Sequence, residues 1–387
     1  MAPVVLPGGG GGPIVLFTAF EPSGDVHGAD VVAALRQLRP DVAVVALGGK
    51  RMEAAGAHIL VHTANDGAMG LGALSRLREV RAAQAAVREF GLARRVSVHV
   101  PVDSPAANTN LAAEFRSRGS RVVHLVAPQM WAWGEGRVKK LRTCTDLVLC
   151  LLPFEEEWFK QRQVPARFIG HSTFERPGDP AQWKVGAANL PMGTPRILLL
   201  PGSRTIEIKR NAAMLTDAFS ELQGRFRGTN GLVCCTNDET ARLFEKCVGS
   251  VPTGLHIAVT PIDVAAHWCT LALAVSGTVT LDLTRHQRPM VGVYRVGLLS
   301  WLGAKFMLRS ANRLLPNVVA GRRIVPEFVP CLRPVGRIVE EAAVFLQDSR
   351  HAARAEAELQ RVCDRFAGHH PAREAAEAIL SFIPKAD

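Results

Sequence analysis

The sequence predicts an α/β protein of two doubly wound, Rossmann-like domains, and three observations support this fold class. The chain of 387 residues is long for one domain and comfortable for two. Short Val/Ile/Leu-rich runs alternate with helix-like segments almost throughout, which is typical of parallel sheets covered on both faces. Between residues 175 and 195 the chain is rich in Pro, Gly and Ala without a clear period, and this segment is interpreted as a linker.

The N-terminal domain is predicted to span 13–180. Its first strand is the apolar run at 13–20, and the apolar periodicity predicts a helix at 28–39 after it. Later apolar runs predict further strands of the same sheet, at 42–49, 121–128, 145–153 and 166–171.

The C-terminal domain is predicted to span 195–365. Its strands are predicted from apolar runs at 196–202, 231–237, 255–260, 271–277 and 289–296. The last segment, 366–387, contains a helical pattern at 373–383, and we expect this helix to pack back on one of the domains.

The composition indicates a globular protein that favours anionic partners. Hydrophobic residues make up 48% of the chain and charged residues 21%, which are ordinary values for a soluble protein. The net charge of +11 favours phosphate-bearing substrates, acidic lipid surfaces or nucleic acid. Nucleic acid is the least favoured of these, because the Lys and Arg residues are spread along the chain rather than clustered.

Neither a metal centre nor a membrane-spanning helix is expected. The cysteines form no CxxC motif, and the histidines show no HxxH or HExxH spacing. The chain has no run of about 18 uninterrupted apolar residues, and its start lacks the basic region of a signal peptide. The expected location is therefore the cytosol, at most at a membrane surface, with no metal ion and no cofactor.

The stretch Pro201-Gly202-Ser203-Arg204 is the first candidate binding site. It joins a predicted strand to a helix that is predicted to begin near Thr205. The first amides of such a helix favour an anion, Gly202 allows close backbone approach, and Arg204 can grip a diphosphate. The Ser203 hydroxyl can donate to the same ligand. The alternative interpretation is an ordinary tight turn with a solvated arginine.

A second strand-to-helix turn of the same half resembles the first. Ser276, Gly277 and Thr278 offer hydroxyls and amides that suit phosphate oxygens, and Asp282 lies about one turn further on. A carboxylate there could accept hydrogen bonds from ribose hydroxyls. Two such turns fit a nucleoside diphosphate better than either turn alone. The chain has no GxGxxG after a strand, which argues against a dehydrogenase.

Acidic and polar residues follow two predicted strands of the N-terminal half. Glu21, Ser23, Gly24 and Asp25 come after the first strand, at the carboxyl edge where such folds bind ligands. Asp103 comes after the apolar run RVSVHV and is a candidate general base. The alternative for Asp103 is an ordinary turn or helix cap.

The sequence allows more than one function for each of two apolar features. Trp131 and Trp133 stand in a loop before the basic residues Arg137, Lys139 and Lys140, where they could pack in the core, line a cleft or stack on bases. The apolar stretch 291–313, which carries several basic residues, could be a buried helix or a surface that meets lipid.

Eleven stretches, in one order along the chain, resemble the lipid-A-disaccharide synthase family. A set of this kind is far more specific than any single member. The stretches cover about residues 14–330 and read EPSGDVHGA, GGKRMEAAG, AMGLGAL, VDSPAANTNL, WAWGEGRVKK, DLVLCLLPFEEEWF, VPARFIGH, LLPGSRTIEI, SGTVTLDL, PMVGVYR and LLPNVVAGRRIVPEF.

The resemblance implies a two-domain GT-B fold, in which the Rossmann-like domains face each other across a cleft. UDP would bind the C-terminal domain and the acceptor the N-terminal domain. The implied reaction transfers 2,3-diacylglucosamine from UDP-2,3-diacylglucosamine to 2,3-diacylglucosamine 1-phosphate (lipid X), with inversion and without a metal. It yields the β-1,6 lipid A disaccharide 1-phosphate and UDP at the inner face of the cytoplasmic membrane. The enzyme would be a peripheral membrane protein, and a homodimer is a further option.

The resemblance also implies roles for single residues. Asp103 matches the family's essential aspartate, as base for the acceptor 6-hydroxyl, and Arg204 matches the essential arginine on the donor diphosphate. The other donor-side positions are Gly202, Ser203, Ser276, Gly277, Thr278, Asp282, which replaces the usual glutamate, and Asn317. The positions assigned to the acceptor side are Glu21, Ser23, Gly24, Asp25, Trp131 and Trp133.

The sequence departs from the family pattern at several positions, many of them on the acceptor side. These positions are Phe20 for a glycine, Ala73 for a glutamate, Ala106 and Ala107 for an acid and an aromatic residue, Gly134 for an arginine, and Pro330 for the glutamine that ends PEFxQ. The departures leave two alternatives open: a paralogue that keeps UDP but uses another acceptor, and a catalytically degenerate, membrane-associated homologue.

Overall fold

The computed structural model describes residues 12–63, 73–132, 134–176, 178–295, 312–331 and 335–384. The chain forms two compact units. The first unit runs to Glu175 and resumes at Gly368, and the second comprises Arg176–Ala367. The last segment of the chain therefore belongs to the first unit.

The first unit is built on a sheet of parallel strands. Its elements in chain order are β1 (Ile14–Ala19), α1 (Pro22–Leu38), β2 (Ala43–Gly48), α2 (Lys50–Ala54), β3 (His58–His62), α3 (Ala73–Ala93), β4 (Val98–Val102), α4 (Pro105–Ser117), β5 (Arg121–Leu125), α5 (Val138–Cys144), β6 (Leu147–Cys150), α6 (Glu155–Lys160), β7 (Ala166–Phe168) and α7 (Ser172–Glu175). The strand order is β3-β2-β1-β4-β5-β6-β7.

The second unit repeats this architecture. Its elements are α8 (Pro180–Ala188), β8 (Arg196–Leu200), α9 (Thr205–Arg225), β9 (Asn230–Cys235), α10 (Asp238–Val248), β10 (Leu255–Val259), α11 (Ile262–Trp268), β11 (Leu271–Val275), α12 (Val279–Arg285), β12 (Met290–Arg295), α13 (Leu315–Ala320), β13 (Glu327–Cys331), α14 (Val335–Gln347) and α15 (Ser349–Asp364). The strand order is β10-β9-β8-β11-β12-β13, again with parallel pairing.

Strand β1 shows why the predicted strands are continuous apolar runs. Val15 and Phe17 point into a core cluster on one face of the sheet, and Leu16 points into a separate cluster on the other face. The first cluster also contains Ala375 and Ile379 of the last helix, α16 (Pro371–Leu380). Because both faces are covered, the strand is apolar throughout except for Thr18, whose buried hydroxyl is hydrogen-bonded inside the protein.

Two sequence predictions about elements were wrong. The helix predicted at 28–39 begins at Pro22, six residues earlier, because Gly24 and Gly28 lie inside it as packing residues. A Cβ at Gly28 would collide with the terminal methyl of Met52, so the glycine lets Met52 pack closely against the helix. The segment interpreted as a linker contains α8, whose start is capped by the Asp179 carboxylate.

The predicted strands are present, within a few residues, while β3 and β13 were not predicted. Both are edge strands, and the side chains of β3 are only half-buried, so the apolar signal is weak there. In the described part of the chain, no helix combines the length and the apolarity needed to cross a membrane.

Candidate functional site

Both sheets have a switch point, where the strand order reverses between two neighbouring parallel strands. In the first sheet these strands are β1 and β4, and in the second they are β8 and β11. Ligands of open α/β sheets bind beside the carboxyl ends of such strands. Glu21 and Asp103 follow β1 and β4, while residues 201–204 and 276–278 follow β8 and β11. Each unit therefore has one candidate site, at its own switch point.

A pocket of about 400 Å³ lies at the switch point of the first unit. Its polar lining includes the Glu21 and Asp103 carboxylates and the Arg137 side chain, and most of the remaining wall is apolar. Three of the positions that depart from the family pattern, Phe20, Ala106 and Ala107, also line it. The pocket suits a ligand that presents a hydroxyl group to a carboxylate.

The backbone around Asp103 is strained. Asp103 and Ser104 have φ angles of +47° and +39°, and Val126, which lines the same pocket, has a φ of +67°. L-residues other than Gly, Asn and Asp rarely adopt this region, and a β-branched residue such as Val126 is a clear outlier. Strain of this kind persists only where the surroundings enforce it, and it concentrates at functional sites.

Hydrogen bonds from buried residues hold the strained turn in place. The Asp103 amide donates to the Leu125 carbonyl over 3.0 Å. The Asn108 side-chain amide donates to the Asp103 carbonyl over 3.0 Å, and its oxygen accepts from the Thr18 hydroxyl over 2.7 Å. The first two of these bonds fix the backbone of Asp103, and the Thr18 hydroxyl in turn holds the Asn108 side chain.

The network ends at His99, below the pocket. The single hydroxyl proton of Thr18 goes to Asn108, so the contact of 2.9 Å between Thr18 and His99 Nε2 requires that His99 donates. Burial lowers the pKa of His99 to about 3, and the ring is therefore neutral at neutral pH. Asn108, Thr18 and His99 form a neutral support for the Asp103 turn.

This support was not predicted, although Asn108 leaves a signal in the sequence. Asn108 occupies the buried face of α4 together with Leu111, Ala112 and Phe115. A polar side chain at a core-facing helix position needs a partner, so such a residue indicates a buried network.

Two predicted acceptor-side residues have structural roles. The Asp25 carboxylate is buried and accepts from the amides of Gly49, Arg51 and Met52 at 2.7 to 3.1 Å, so it caps α2. Gly24 packs against β1, where an added Cβ would lie 3.1 Å from Ala19 Cβ. Both residues support the fold through these contacts, and their place on the acceptor side stays a prediction.

The other predicted acceptor-side residues lie in α1 and in the loop before α5. Ser23 is exposed in the first turn of α1. The Trp131 indole nitrogen donates to a Glu155 carboxylate oxygen over 3.0 Å, which anchors the loop. Burial raises the pKa of Glu155 to about 7. Trp133 lies outside the described residues, as does 296–311 within the apolar stretch.

In the second unit, the turn after β8 is arranged around Glu207. The Glu207 carboxylate is buried and accepts from the Ser203 and Arg204 amides, each over 3.2 Å. It also accepts from the Arg204 guanidinium over 3.1 Å. Gly202 has a φ of +99°, and a Cβ there would lie 2.5 Å from the Glu207 carboxylate. Two of the amides predicted to face an anion therefore already bind a carboxylate of the protein.

The Arg204 side chain is nevertheless accessible, with 63% of its surface exposed. Gly277 and Thr278 of the neighbouring turn are exposed as well, and a Cβ at Gly277 would meet nothing within 4 Å. The Ser276 amide donates to the Val293 carbonyl over 2.8 Å, which ties the turn to β12. These groups leave room for a ligand at the second switch point.

Asp282 and Asn317 are engaged within the protein. Asp282 forms an ion pair with Arg176, and burial raises the pKa of its carboxyl group against the effect of that arginine. Asn317 is fully buried, and its side-chain oxygen accepts from the amides of Ile324 and Val325. Its nitrogen donates to the Glu327 carboxylate over 3.0 Å. These contacts order the segment before β13, and a contact of Asn317 with the donor stays a prediction.

Among the residues that the structure describes, no cluster of three or more His, Cys, Asp or Glu side chains could hold a metal ion.

Comparisons with known proteins cover most of the length of the chain. Residues 15–380 match a sequence model of the family described as lipid-A-disaccharide synthetase. A lipid-A-disaccharide synthase from Pseudomonas fluorescens (strain Pf0-1) is 31% identical over 377 residues, which cover 95% of this chain and 98% of the relative. One from Myxococcus xanthus (strain DK1622) is 32% identical over 380 residues, which cover 96% and 98%.

Solved structures confirm the predicted GT-B fold. The glycotransferase of kitacinnamycin superimposes with a TM-score of 0.64 at 12% identity, covering 96% of this chain and 100% of its own. The calicheamicin glycosyltransferase CalG4 superimposes with a TM-score of 0.60 at 15% identity, covering 97% and 100%. At such low identity these neighbours establish the fold alone.

Proposed function

The chain belongs to the lipid-A-disaccharide synthase family, and we propose that it transfers 2,3-diacylglucosamine from UDP-2,3-diacylglucosamine to 2,3-diacylglucosamine 1-phosphate. The family and the GT-B fold make it a glycosyltransferase. The products would be the β-1,6-linked disaccharide 1-phosphate and UDP. The observation that carries this proposal is the strained Asp103 turn in a pocket at the first switch point.

Asp103 is proposed as the general base. In the transfer, the acceptor 6-hydroxyl attacks the anomeric carbon of the donor from the face opposite to UDP, so the configuration inverts. The hydroxyl proton must leave as the new bond forms, and a carboxylate within hydrogen-bond reach can take it. The Asn108 network fixes the Asp103 backbone, which limits the positions that this carboxylate can adopt.

Arg204 is proposed to stabilise the leaving UDP. Negative charge builds up on the diphosphate as the glycosidic bond breaks, and a guanidinium placed there lowers the barrier. The Arg204 side chain is exposed, so solvent screens its ion pair with the buried Glu207 carboxylate and a diphosphate can compete for the arginine. Ser203, Ser276 and Thr278 would supply hydroxyl donors to the same group.

Asp282 is proposed to contact the ribose only after a change of partner. Its carboxylate is paired with Arg176, so ribose hydroxyls would have to displace or share that ion pair. The donor side is thus proposed to rearrange on binding, through Arg204 and Asp282.

We further propose that the protein works at the cytoplasmic face of the inner membrane. Both substrates carry acyl chains, and the net charge of +11 favours anionic lipid surfaces. Attachment would be peripheral.

The test is an assay of the purified chain with both substrates in detergent, following disaccharide phosphate and UDP. Asp103→Asn and Arg204→Ala should each abolish product. Matched controls are Asp41→Asn and Arg225→Ala, which remove exposed side chains of the same types elsewhere. Absence of product with UDP binding that depends on Arg204 would favour a relative with another acceptor. Absence of both product and UDP binding would favour the catalytically degenerate homologue.

A further inference from the structure

A second pocket adjoins the Asp103 pocket in the first unit. It has a volume of about 370 Å³ and lies between α4 and α5. Pro105, Ala106 and Arg137 line both pockets, so the two share a wall. Ala106 is one of the positions where the sequence departs from the family pattern, which has an acid there. At this position the shared wall therefore carries no carboxylate.

The two pockets differ in charge. The Asp103 pocket is lined by two acidic residues, Glu21 and Asp103, and by the shared Arg137, whereas the second pocket is lined by Arg137 and Lys140 and by no acidic residue among its described lining. The Lys140 ammonium donates to the Asn110 side-chain oxygen over 2.7 Å. This partner is neutral, so it orients the ammonium group without cancelling its charge. Arg137 and Lys140 are three residues apart at the start of α5, a spacing that places side chains on one helix face.

Gly134 makes room for the Arg137 side chain. Gly134 has a φ of +87°, and a Cβ at this position would lie 2.8 Å from Arg137 Nε. A larger residue there would push the guanidinium away from the wall that the two pockets share.

We infer that the second pocket binds the phosphate group of the acceptor while Asp103 receives its 6-hydroxyl. This inference rests on the proposed function. The acceptor carries a phosphomonoester at one end of its sugar ring and a primary hydroxyl at the other. Two adjoining pockets, one cationic and one with a base, match those two ends. Arginine and lysine both suit a phosphate, and together they hold the ring in the orientation that presents the 6-hydroxyl to the base.

The test compares acceptors with and without the phosphate. Arg137→Gln and Lys140→Gln each remove one cation, and the control Lys139→Gln removes the neighbouring cation, which lines a different pocket. We expect each pocket variant to raise the KM for the phosphorylated acceptor by about tenfold or more, with kcat changed much less. The KM for 2,3-diacylglucosamine without phosphate should not change, and Lys139→Gln should behave as wild type. Equal effects on both acceptors, or no effect, would overturn the inference.

A binding measurement separates this inference from the proposed function. Glucosamine 1-phosphate and glucosamine are titrated into wild type and the Arg137→Gln/Lys140→Gln double variant by calorimetry. The wild type should prefer the phosphorylated sugar and the double variant should not, even if no transfer is observed with any acceptor. Lack of a preference in the wild type would overturn the inference.

Acidic lipid headgroups also present phosphate groups to a protein. Binding to lipid vesicles distinguishes these headgroups from the phosphate of the acceptor. Binding to phosphatidylglycerol vesicles should fall equally in Lys140→Gln and Lys139→Gln. A loss confined to the pocket variants, without a change in acceptor preference, would assign the cations to lipid and overturn the inference.

Discussion

The two switch points have the same place in the same fold, yet they are prepared for ligands in different ways. In the first unit, a strained turn is held by fully buried, neutral groups, namely Asn108, Thr18 and His99. In the second unit, the groups that suit a nucleotide are held by charged partners, Glu207 on Arg204 and Arg176 on Asp282. The backbone of the first site is therefore fixed by neutral hydrogen bonds, whereas we propose that a ligand of the second site exchanges partners with the protein.

The largest effect should come from Asp103. Asp103→Asn keeps the shape of the side chain but removes the base, so we expect kcat to fall by about 10²- to 10⁴-fold. UDP binding, measured by calorimetry, should stay within about twofold of wild type, because the substitution lies in the other unit. A variant that transfers sugar at more than a tenth of the wild-type rate would remove Asp103 from the mechanism, and the contrast between the units would lose its functional meaning.

The next largest effect is on the pH dependence of stability, and it comes from Glu155 in the first unit. The pKa of buried Glu155 rises from its ordinary 4.5 to about 7, so the folded state holds its proton where the unfolded state releases it. This residue therefore reduces stability as pH rises from about 4.5 to about 7, by about 3 kcal/mol in full. Glu155→Gln should remove this decrease in stability with rising pH.

The comparison is made between Glu155→Gln and wild type by urea unfolding at a series of pH values. The measured quantity is the difference in unfolding free energy between the variant and wild type. Wild type alone would mislead, because burial lowers the pKa values of the neutral histidines His99 and His124 to about 3 and about 4, and these residues reduce stability as pH falls below 6.5. The exposed neighbour Glu157→Gln is the control. A constant difference between Glu155→Gln and wild type across pH 4.5 to 7 would contradict the prediction.

Asn108 tests the neutral support directly. Asn108→Ala removes the partner of the Thr18 hydroxyl and of the Asp103 carbonyl inside the protein, which should destabilise the fold by about 1–3 kcal/mol. We also expect kcat to fall while the acceptor KM changes less, since the variant releases the Asp103 turn rather than removing a ligand contact. The control is Asn110→Ala, on the exposed side of the same helix, measured for stability alone. A stability loss without any loss of kcat would show that the network supports only the fold.

The sequence predicted the framework of this contrast but not its chemistry. Continuous apolar runs such as that of β1 reveal a sheet that is buried on both faces, and the residues after each strand are therefore assigned to the right edge. Which of those residues face a ligand depends on contacts made far along the chain. Asp25 caps α2, and Asn317 binds the segment before β13, although both match positions in the family's motifs. Glu207 did leave a signal, since an acid three residues after the N-cap position of a helix is a capping pattern.

The smallest effect should be on UDP affinity and come from Glu207, which tests the charged partners of the second switch point. Glu207→Gln keeps an oxygen that can accept from the Ser203 and Arg204 amides but removes the negative charge that competes with a diphosphate. We expect the dissociation constant of UDP to fall by about two- to fivefold at low salt, and the difference to shrink as salt is added. Glu221→Gln, on an exposed part of the same helix, should change nothing. If UDP instead binds more weakly to Glu207→Gln, the carboxylate serves to aim Arg204 at the ligand. The second site would then be as firmly prepared as the first.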